Sequence, residues 1–314
     1  MMKVISSIGG EERKDLKVWF DGEFINYTDA NVSIFTHSLQ YGSAIFEGIR
    51  AYETDRGPAI FRLQDHIRRF TSSAKMYFIE LAFPQKTMCD AAVELVRMNK
   101  LQHCYIRPFA FYNDQRIGVS GWKKKVSVYI AAVPFGAYFE GGAKGIRCKV
   151  SSWRRINSEI LPVEAKASGN YLNSIIANFE AKSAGFDEAI FLSSNGYIAE
   201  GSGENIFLVK DNRLVTPDAS ADILMGITRE SIIKMAESMD LAVEQRPVHK
   251  EELYSADEVF FTGTAAEVTP IVDVDGIKIG TGKVGPITDM LFKKFYDVVH
   301  GRDKKFDAWL TYVK

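Results

Sequence analysis

Apolar positions recur with the period of an α-helix in five segments of the chain. The pattern predicts helices over residues 64–78, 86–99, 171–184, 228–239 and 287–299. In the third segment Leu172, Ile175, Ile176 and Phe179 follow the spacing i, i+3, i+4 and i+7. That spacing places the four side chains on one face of a helix.

Short β-rich runs alternate with these helices, and several pairs of runs are separated by a two-residue turn signal. The signals are Asp21-Gly22, Asn195-Gly196, Asp211-Asn212 and Asp275-Gly276. Because aspartate, asparagine and glycine tolerate the positive φ angles of a type I′ turn, each signal predicts a β-hairpin. Hairpins interspersed with helices indicate an α+β fold with mixed sheets rather than a regular βαβ winding.

A glycine-rich stretch divides the chain near its middle. The stretch VPFGAYFEGGAKG contains Pro134 and four glycines, and strong strand patterns lie on both sides of it. A chain of 314 residues is also long enough for two domains. We therefore expect a flexible tail over 1–16, a small α+β domain over 17–133, a linker over 134–144 and a large domain over 145–314.

Composition and charge argue against several classes of partner. The chain carries 39 basic and 40 acidic residues, for a net charge of −1, with no long block of either sign. We therefore expect neither nucleic acid nor a membrane as a partner, but a small metabolite. No signal-peptide or transmembrane pattern occurs, which predicts a cytoplasmic protein.

Cysteine and histidine spacings do not predict a metal site. The three cysteines lie far apart, and the five histidines never fall at ligand spacing. His37 and His66 have no serine or cysteine nucleophile motif nearby, so a structural role is the simpler interpretation.

Lys166 has unusual neighbours for a lysine. Ala165, Ala167, Ser168 and Gly169 are small and uncharged, whereas a lysine on a solvated helix face normally has charged neighbours. Small neighbours allow other groups to approach and desolvate the amine, which favours the uncharged form that attacks a carbonyl carbon. Lys166 is therefore a candidate Schiff-base lysine, and an ordinary surface lysine is the alternative.

A carboxylate lies at the end of one strand pattern. In GYIAEGSGENIF the strand leads Glu200 into the loop 201–203, which offers flexible backbone in place of bulky side chains. A carboxylate at such a strand end can pair with a protonated ring nitrogen.

Three further features are able to bind an anion. A second strand pattern ends in residues 263–266, whose amides can surround a negative charge, and one predicted helix begins near Ile227 and Thr228. Arg69, on an earlier helix, adds a guanidinium. Together with the lysine and the carboxylate above, these groups supply an amine, a pyridinium partner and a phosphate cradle. Pyridoxal 5′-phosphate requires that set.

Six motifs occur in a fixed order along the chain. They are QYGSAIFEGIRAY, YIRPFAF, AKASGNYLNS, GYIAEGSGENIF, GITRE and FTGTAAEVTP. In this order they closely resemble the branched-chain amino-acid aminotransferases of the class IV, or fold type IV, pyridoxal-phosphate enzymes. The resemblance spans residues 18–294. It implies two-domain α+β subunits with the cofactor in the interdomain cleft, assembled as a homodimer or higher homo-oligomer.

The resemblance also implies a role for each matched residue. Lys166 is the catalytic residue that holds the cofactor covalently, Glu200 pairs with the pyridine nitrogen, and Tyr171 bonds the phenolic oxygen of the ring. The implied phosphate ligands are Arg69, Ile227, Thr228 and Thr264. The implied substrate pocket consists of Tyr41, Phe46, Arg50, Tyr105, Arg107, Val119, Tyr138, Thr264 and Ala265, with Tyr41 and Val119 reaching in from a partner subunit.

The activity implied by the resemblance is transamination between branched-chain L-amino acids and 2-oxoglutarate. The alternatives on the same fold are a D-amino-acid or (R)-amine transaminase and an aminodeoxychorismate lyase. A non-catalytic cofactor-binding protein is a further alternative, against which the intact Lys166 and Glu200 argue.

Two positions depart from the family pattern. The loop RIGVSGWKKKV lacks the Asn-Pro that often follows Gly-Val, and Phe135 stands where bacterial members commonly have tryptophan. The resemblance therefore predicts the reaction type more closely than the substrate range.

Overall fold

A computed structural model of the chain describes residues 15–120, 125–136 and 144–314. Within the chain, two units are distinguished by their internal packing. The first unit comprises Met1–Ala137, Ala165–Gly169 and Asp297–Lys314, and the second comprises Tyr138–Glu164 and Asn170–Tyr296.

These units differ from the predicted domains at two segments. Residues 165–169 and 297–314 belong to the first unit, although the sequence pattern assigned both to the large domain. Ala167 forms an isolated antiparallel bridge with Ile45, and Leu310–Tyr312 pairs with Ala59–Phe61. Both pairings join segments that are distant in sequence, and a local hydrophobic pattern does not report such pairings.

The ends of two other predicted segments can also be compared with the structure. Residues 1–14 of the predicted tail lie outside the described residues, but Leu16 is buried and its carbonyl oxygen accepts the Tyr27 N–H. Most of the predicted linker also lies outside them, and Pro134 is the last residue of a strand.

The first unit is built on an antiparallel sheet. Its strands are β1 (Lys17–Phe20), β2 (Glu23–Asn26), β3 (Ala44–Phe46), β4 (Ile49–Tyr52), β5 (Ala59–Phe61), β6 (Cys104–Tyr112), β7 (Val126–Pro134) and the C-terminal β17 (Leu310–Tyr312). The order is β17-β5-β4-β6-β7-β1-β2, and β3 also pairs with β6. The hairpin between β1 and β2 turns at Asp21 and Gly22, both of which have positive φ.

Helices cover the core of this sheet. They are α1 (His37–Tyr41), α2 (Leu63–Met76) and α3 (Gln85–Met98). Ile67 and Phe70 of α2 and Leu95 of α3 are fully buried in one cluster with strand residues such as Ile49 and Ile106. The helices are therefore held by the burial of their apolar faces, as the periodicity predicted.

The second unit contains a mixed sheet. Its strands are β8 (Ile146–Arg154), β9 (Glu188–Leu192), β10 (Ile198–Gly201), β11 (Asn205–Lys210), β12 (Arg213–Thr216), β13 (Val243–Gln245), β14 (Glu258–Gly263), β15 (Glu267–Val274) and β16 (Ile277–Lys278). The order is β10-β9-β8-β15-β14-β11-β12-β13, and β8 is parallel to both of its neighbours. Strand β10 also pairs with β11, through Glu200 and Asn205. The six strands β10-β9-β8-β15-β14-β11 therefore close into a ring.

Four helices have most of their residues in the second unit. They are α4 (Tyr171–Ser183), α5 (Ile227–Glu237), α6 (Lys250–Ser255) and α7 (Pro286–Val299). The five helices predicted from periodicity agree with α2, α3, α4, α5 and α7 to within two residues at each end. The short α1 and α6 were not predicted, because one turn or two carries little periodic signal. Within the described ranges, the structure has no helix with the length and apolarity to cross a membrane.

Helix α4 exposes its apolar face. Leu172 and Phe179 are 62% and 68% exposed, whereas Ser174, Ala177 and Ala181 are buried. Small side chains on the buried face allow the helix to pack closely on β8 and β9. The periodicity thus identified the helix but did not identify its buried face.

The fold class is confirmed: the chain has helices and mixed sheets in two units. The remaining predicted hairpins are also present, because β9–β10, β11–β12 and β15–β16 pair antiparallel across their turn signals. Asp211, Asn212 and Asp275 all have the positive φ that these turns require.

Candidate active site

Lys166 lies in a short segment beside strand β3. Its backbone N–H donates to Oγ of Ser73 at 3.0 Å, and its carbonyl oxygen accepts the Phe46 N–H at 2.9 Å. Ala165 and Ala167 are buried on either side, and Nζ lies 5.1 Å from the centre of the Phe46 ring. The backbone of the segment is therefore fixed, and the amine lies half-buried beside an aromatic face.

A buried ionic network follows Phe46 in the chain. Oε1 of Glu47 accepts Nε of Arg69 at 2.7 Å, and Oε2 accepts Nη2 of Arg69 at 2.9 Å and Nδ1 of His66 at 2.7 Å. Burial acts to raise the pKa of the fully buried Glu47, but Arg69 and His66 outweigh it and hold this pKa well below its usual range. Burial lowers the pKa of His66. Glu47 is therefore an anion at neutral pH, and a neutral His66 donates from Nδ1.

One face of α2 connects this network to the lysine segment. His66, Arg69 and Ser73 follow the spacing i, i+3 and i+7, so they project from the same side of the helix. The first two bind the Glu47 carboxylate, and Ser73 accepts the Lys166 N–H. The helix thus fixes Arg69 and Lys166 relative to each other.

Strand β6 supplies a tyrosine and an arginine on one side of the sheet. Tyr105 and Arg107 are two residues apart, and Nη2 of Arg107 donates to the Tyr105 hydroxyl at 2.9 Å. The Arg107 guanidinium carbon lies 4.5 Å from the centre of the Phe46 ring. In the part of the chain that the structure describes, Nε of Arg107 is buried without a hydrogen-bond partner.

Arg50 lies on the neighbouring strand, directly opposite Tyr105. Its guanidinium carbon is 5.0 Å and 5.2 Å from the ring centres of Tyr52 and Phe135. The Phe135 ring is in turn 5.1 Å from that of Tyr105. Phe135, one of the departures from the family pattern, therefore belongs to the same aromatic cluster as two predicted pocket residues.

The close packing of this cluster depends on Gly48. A Cβ atom at Gly48 would lie 2.1 Å from the Tyr105 hydroxyl oxygen, which is well inside van der Waals contact. Glycine at this position of FEGIR therefore allows the tyrosine hydroxyl to approach the backbone of the chain.

Two of the predicted pocket residues lie together on an exposed surface. The Tyr41 hydroxyl accepts the Gly118 N–H at 3.1 Å, which joins the end of α1 to the loop that carries Val119. Tyr41 is 41% exposed and Val119 is 82% exposed. Another predicted pocket residue, Tyr138, lies outside the described residues.

In the second unit Glu200 is held at the strand pair that closes the ring. Its Oε1 lies 2.7 Å from Nε of Arg155, and its Oε2 accepts Nδ2 of Asn205 and the Leu224 N–H, each at 3.1 Å. Glu200 and Arg155 are both buried. The carboxylate is therefore a fixed acceptor with a single orientation.

Helix α5 begins next to this carboxylate. Nδ2 of Asn205 donates to Glu200 and also to the Leu224 carbonyl oxygen at 2.9 Å, so it links the carboxylate to the segment that leads into the helix. The N-cap Gly226 makes no side-chain cap hydrogen bond, and Ile227 and Thr228 follow it, both buried. A helix start without a side-chain cap presents amide N–H groups to an anion.

The remaining predicted site residues of this unit lie in a turn and at the start of a helix. Thr264 and Ala265 lie half-buried in the turn between β14 and β15, and Tyr171 is the first residue of α4. Thr262 lies in β14, two residues before Thr264. Its Oγ1 is buried and lacks a hydrogen-bond partner among the described residues.

Glu47, His66, Arg155 and Asn205 are the polar residues of these networks that the sequence did not identify as functional. Glu47, Arg155 and Asn205 each contact a residue that a motif had identified as functional, and His66 contacts Glu47. Arg155 and its partner Glu200 are 45 positions apart in the chain. Glu47 belongs to the motif FEGIR and Asn205 to the motif GYIAEGSGENIF, so these two motifs were the available signals.

Comparisons with known proteins identify the family of the chain. The family model described as amino-transferase class IV matches residues 44–274. The branched-chain-amino-acid aminotransferase of Pseudomonas aeruginosa is 44% identical over 303 residues, which cover 96% of this chain and 98% of the relative.

Two solved structures are also similar. A crystal structure of the Escherichia coli branched-chain amino acid aminotransferase has a TM-score of 0.93 and 41% identity, covering 96% of this chain and all of that one. The branched-chain amino acid aminotransferase of Thermobaculum terrenum, in its PLP-bound holo form, has a TM-score of 0.91 and 35% identity, covering 96% of this chain and all of that one. The family predicted from the six motifs is confirmed, and this chain belongs to the class IV aminotransferases.

Proposed function

We propose that the chain uses pyridoxal 5′-phosphate to exchange an amino group between branched-chain L-amino acids and 2-oxoglutarate. The products are branched-chain 2-oxo acids and L-glutamate. One observation carries the proposal: the Lys166 amine lies beside Phe46 on a backbone fixed from both sides, in a chain with 44% identity to a branched-chain aminotransferase.

The described residues fit this cofactor. The start of α5 has no side-chain cap, and Oγ1 of Thr262 is buried without a partner among the described residues. Glu200 is fixed by two hydrogen bonds and by an ion pair with Arg155. The phosphate would be held by Arg69, Ile227, Thr228 and Thr264. The ring would be held by Glu200 and Tyr171, and the covalent bond would be made by Lys166.

The chain's own residues supply proton transfer and orientation. When bound, the cofactor supplies a carbonyl carbon for the substrate amine and an electron-accepting ring. Nζ of Lys166 would move the proton from the substrate Cα to the former carbonyl carbon of the cofactor. Glu200, whose orientation is set by Arg155 and Asn205, would keep the ring nitrogen of the bound cofactor protonated. The Phe46 ring and the flanking alanines limit the access of water to Nζ.

Arg107 is the residue that allows one pocket to accept both leucine and glutamate. The faces of Phe46 and Tyr105 can enclose an apolar side chain. Glutamate brings a second carboxylate, which is costly to bury without a partner. The guanidinium of Arg107 lies over the rings of Phe46 and Tyr105. Its Nε is buried and has no hydrogen-bond partner within the described ranges. The distal carboxylate of glutamate would supply that acceptor.

The reaction itself is tested by a comparison of donors. Purified protein is incubated with L-leucine, D-alanine or an (R)-amine, each with an oxo-acid acceptor. We expect turnover with L-leucine and far less with D-alanine or the (R)-amine. A preference for D-alanine or the (R)-amine would instead support the alternative transaminases.

We also propose that the active form contains at least two copies of the chain, with Tyr41 and Val119 contributed to the partner's site. Tyr41 and the 117–119 loop form one surface through the Tyr41–Gly118 hydrogen bond, and neighbouring apolar side chains such as Ile34, Leu39 and Ile117 are also exposed. A groove of about 1150 Å³ that Val119 lines with Phe78 and Phe83 adds to this surface. Exposed apolar surface of this kind is typical of an interface.

The assembly is tested by light scattering under assay conditions. A dimer or larger particle is expected, and a fully active monomer would exclude a shared site. The cytoplasmic location stays a prediction from the sequence.

A further inference from the structure

Glu47 contacts the proposed phosphate ligand Arg69 through both of its carboxylate oxygens. We propose that Glu47, supported by His66, is a positioning residue that fixes the orientation of Arg69 toward the cofactor phosphate. The inference rests on the proposed function, because that function assigns Arg69 to the phosphate. The proposed site then also includes Glu47, which contacts Arg69, and His66, which contacts Glu47.

The contact has the geometry of an orienting clamp. Nε and Nη2 of Arg69 donate to different oxygens of Glu47, at 2.7 Å and 2.9 Å. Two parallel hydrogen bonds fix both the position and the plane of a guanidinium. Glu47 is fully buried and Arg69 is 16% exposed, so the clamp is in a region of low dielectric, where its bonds are strong.

His66 prevents rotation of the carboxylate. Its Nδ1 donates to Oε2 at 2.7 Å from a ring that is almost completely buried. Oε2 therefore accepts from Nη2 of Arg69 and from His66, while Oε1 accepts from Nε. The Gly48 N–H also donates to Oε2, at 3.3 Å. Loss of the His66 donor therefore removes one of the four hydrogen bonds that hold the carboxylate.

The backbone around Glu47 connects the clamp to the reacting amine. The Glu47 N–H donates to the Pro108 carbonyl oxygen at 2.9 Å, and the preceding Phe46 N–H donates to the Lys166 carbonyl oxygen at 2.9 Å. Ser73, one turn after Arg69 on α2, accepts the Lys166 N–H. A displaced Glu47 would therefore alter the placement of Arg69 relative to Lys166.

Glu47 could affect phosphate binding through its negative charge or through the orientation of Arg69. The two roles predict opposite changes in phosphate binding for Glu47→Gln. If Glu47 acted only as a nearby negative charge, its neutralisation would strengthen the binding of an anionic phosphate. If it acts as a clamp, the amide offers one acceptor oxygen where the carboxylate offers two, and its NH₂ group faces a donor. The guanidinium then loses its fixed orientation, and phosphate binding weakens.

The experiment measures the dissociation constants of pyridoxal 5′-phosphate and of pyridoxal for the full-length chain freed of cofactor. Both compounds can bond to the lysine, so the ratio of the pyridoxal constant to the pyridoxal-phosphate constant isolates the phosphate. We expect Glu47→Gln to lower this ratio about 10-fold, the scale of one charge-assisted hydrogen bond. If that variant fails to fold, His66→Phe replaces it, because it removes the Nδ1 donor and keeps an aromatic ring; the expected decrease is about threefold.

Two further variants separate the possible failures. Arg69→Leu should lower the ratio by more than Glu47→Gln, and an unchanged ratio in Arg69→Leu would mean that the proposed phosphate site is wrong. If Arg69→Leu lowers the ratio but Glu47→Gln leaves it unchanged or raises it, the positioning role of Glu47 is wrong and the proposed phosphate site stands. Glu258→Gln is the matched control, because Glu258 is also buried and, within the described part of the chain, accepts its hydrogen bonds at the start of α7. It should leave the ratio unchanged.

Discussion

Nε of Arg155 lies 2.7 Å from Oε1 of Glu200, and both side chains are buried in the second unit. Buried charges are costly unless they are paired, and this pair is completed by Asn205 and by the Leu224 N–H. The arrangement holds a carboxylate in one orientation at the strand pair that closes the sheet. The proposed role of Glu200 and the stability of the unit therefore depend on the same contacts.

Glu200→Gln tests the functional part of this relationship. The amide cannot hold the ring nitrogen protonated as a carboxylate does, but it keeps the size of the side chain. We expect the variant to retain the cofactor and its colour while the half-reaction slows by about 10²- to 10³-fold, the scale of losing one electrostatic contact. Near-normal single turnovers in a variant that retains the cofactor would remove Glu200 from the mechanism.

Arg155→Met tests the structural part. Loss of the guanidinium leaves the Glu200 carboxylate buried without its cationic partner, which costs about 3–5 kcal/mol of the free energy of unfolding. Urea denaturation measures this difference. Arg154→Met is the control, because the Arg154 side chain is exposed and the change should be within about 0.5 kcal/mol. Equal effects of the two substitutions would contradict a role for the buried pair.

Arg107→Leu separates the two substrates. We expect the barrier for glutamate and 2-oxoglutarate to rise by ~2–4 kcal/mol, the scale of losing one partner of a buried charge pair. That corresponds to a ~30- to ~900-fold loss in kcat/KM. The leucine half-reaction places no charge at this position and should change much less. Single-turnover measurements decide, since equal losses for both amino acids would mean that Arg107 supports the fold or the cofactor.

The dependence of stability on pH tests the neutral state of His66. Burial lowers its pKa in the folded chain, so the unfolded chain binds more protons as pH falls through the ordinary value of 6.5. The free energy of unfolding should therefore rise with pH up to about 6.5, with a slope of at most about 1.4 kcal/mol per pH unit from this residue, and then level off.

His66→Asn keeps a donor near the Glu47 carboxylate but removes the titrating ring. Denaturation between pH 5.5 and 7.5 should show a shallower slope for this variant than for the unmodified chain. The exposed His103 provides the control, because His103→Asn should keep the original slope. Identical slopes in all three proteins would refute a buried neutral His66.

Cysteine reactivity gives an independent check of the packing. Burial raises the pKa of the Cys104 thiol to about 12 and that of the half-buried Cys89 to about 11, and it raises the pKa of Cys148 well above its usual value. Thiolates react with disulfide reagents, whereas thiols do not. At pH 8 the native chain should therefore react slowly, and all three cysteines should react after denaturation.

Local sequence patterns predicted most helices and hairpins of this fold. The helices α2, α3, α4, α5 and α7 follow from periodicity, and four hairpins follow from their turn residues. The same patterns could not predict that Leu172 and Phe179 of α4 are exposed. The burial of a helix face depends on what packs against it, and here the small residues pack on β8 and β9.

Motifs identified the residues that are expected to contact the cofactor, but not the residues that support them. Lys166 and Glu200 stand in recognisable local settings, whereas the clamp between Glu47 and Arg69 joins residues 22 positions apart. The ion pair of Arg155 with Glu200 and the hydrogen bond of Asn205 to Glu200 likewise form only when the strands close around Glu200. These relationships arise from tertiary packing, on which local hydrophobic periodicity carries no information.

Peptide mapping after borohydride reduction tests whether Lys166 carries the cofactor covalently. The holoenzyme is reduced, digested and analysed by mass spectrometry to find the lysine that carries the pyridoxyl group. We expect the label on the peptide that contains Lys166, because that amine lies beside Phe46 on a fixed backbone between two buried alanines. A label on any other lysine, with Lys166 unmodified, would contradict the account.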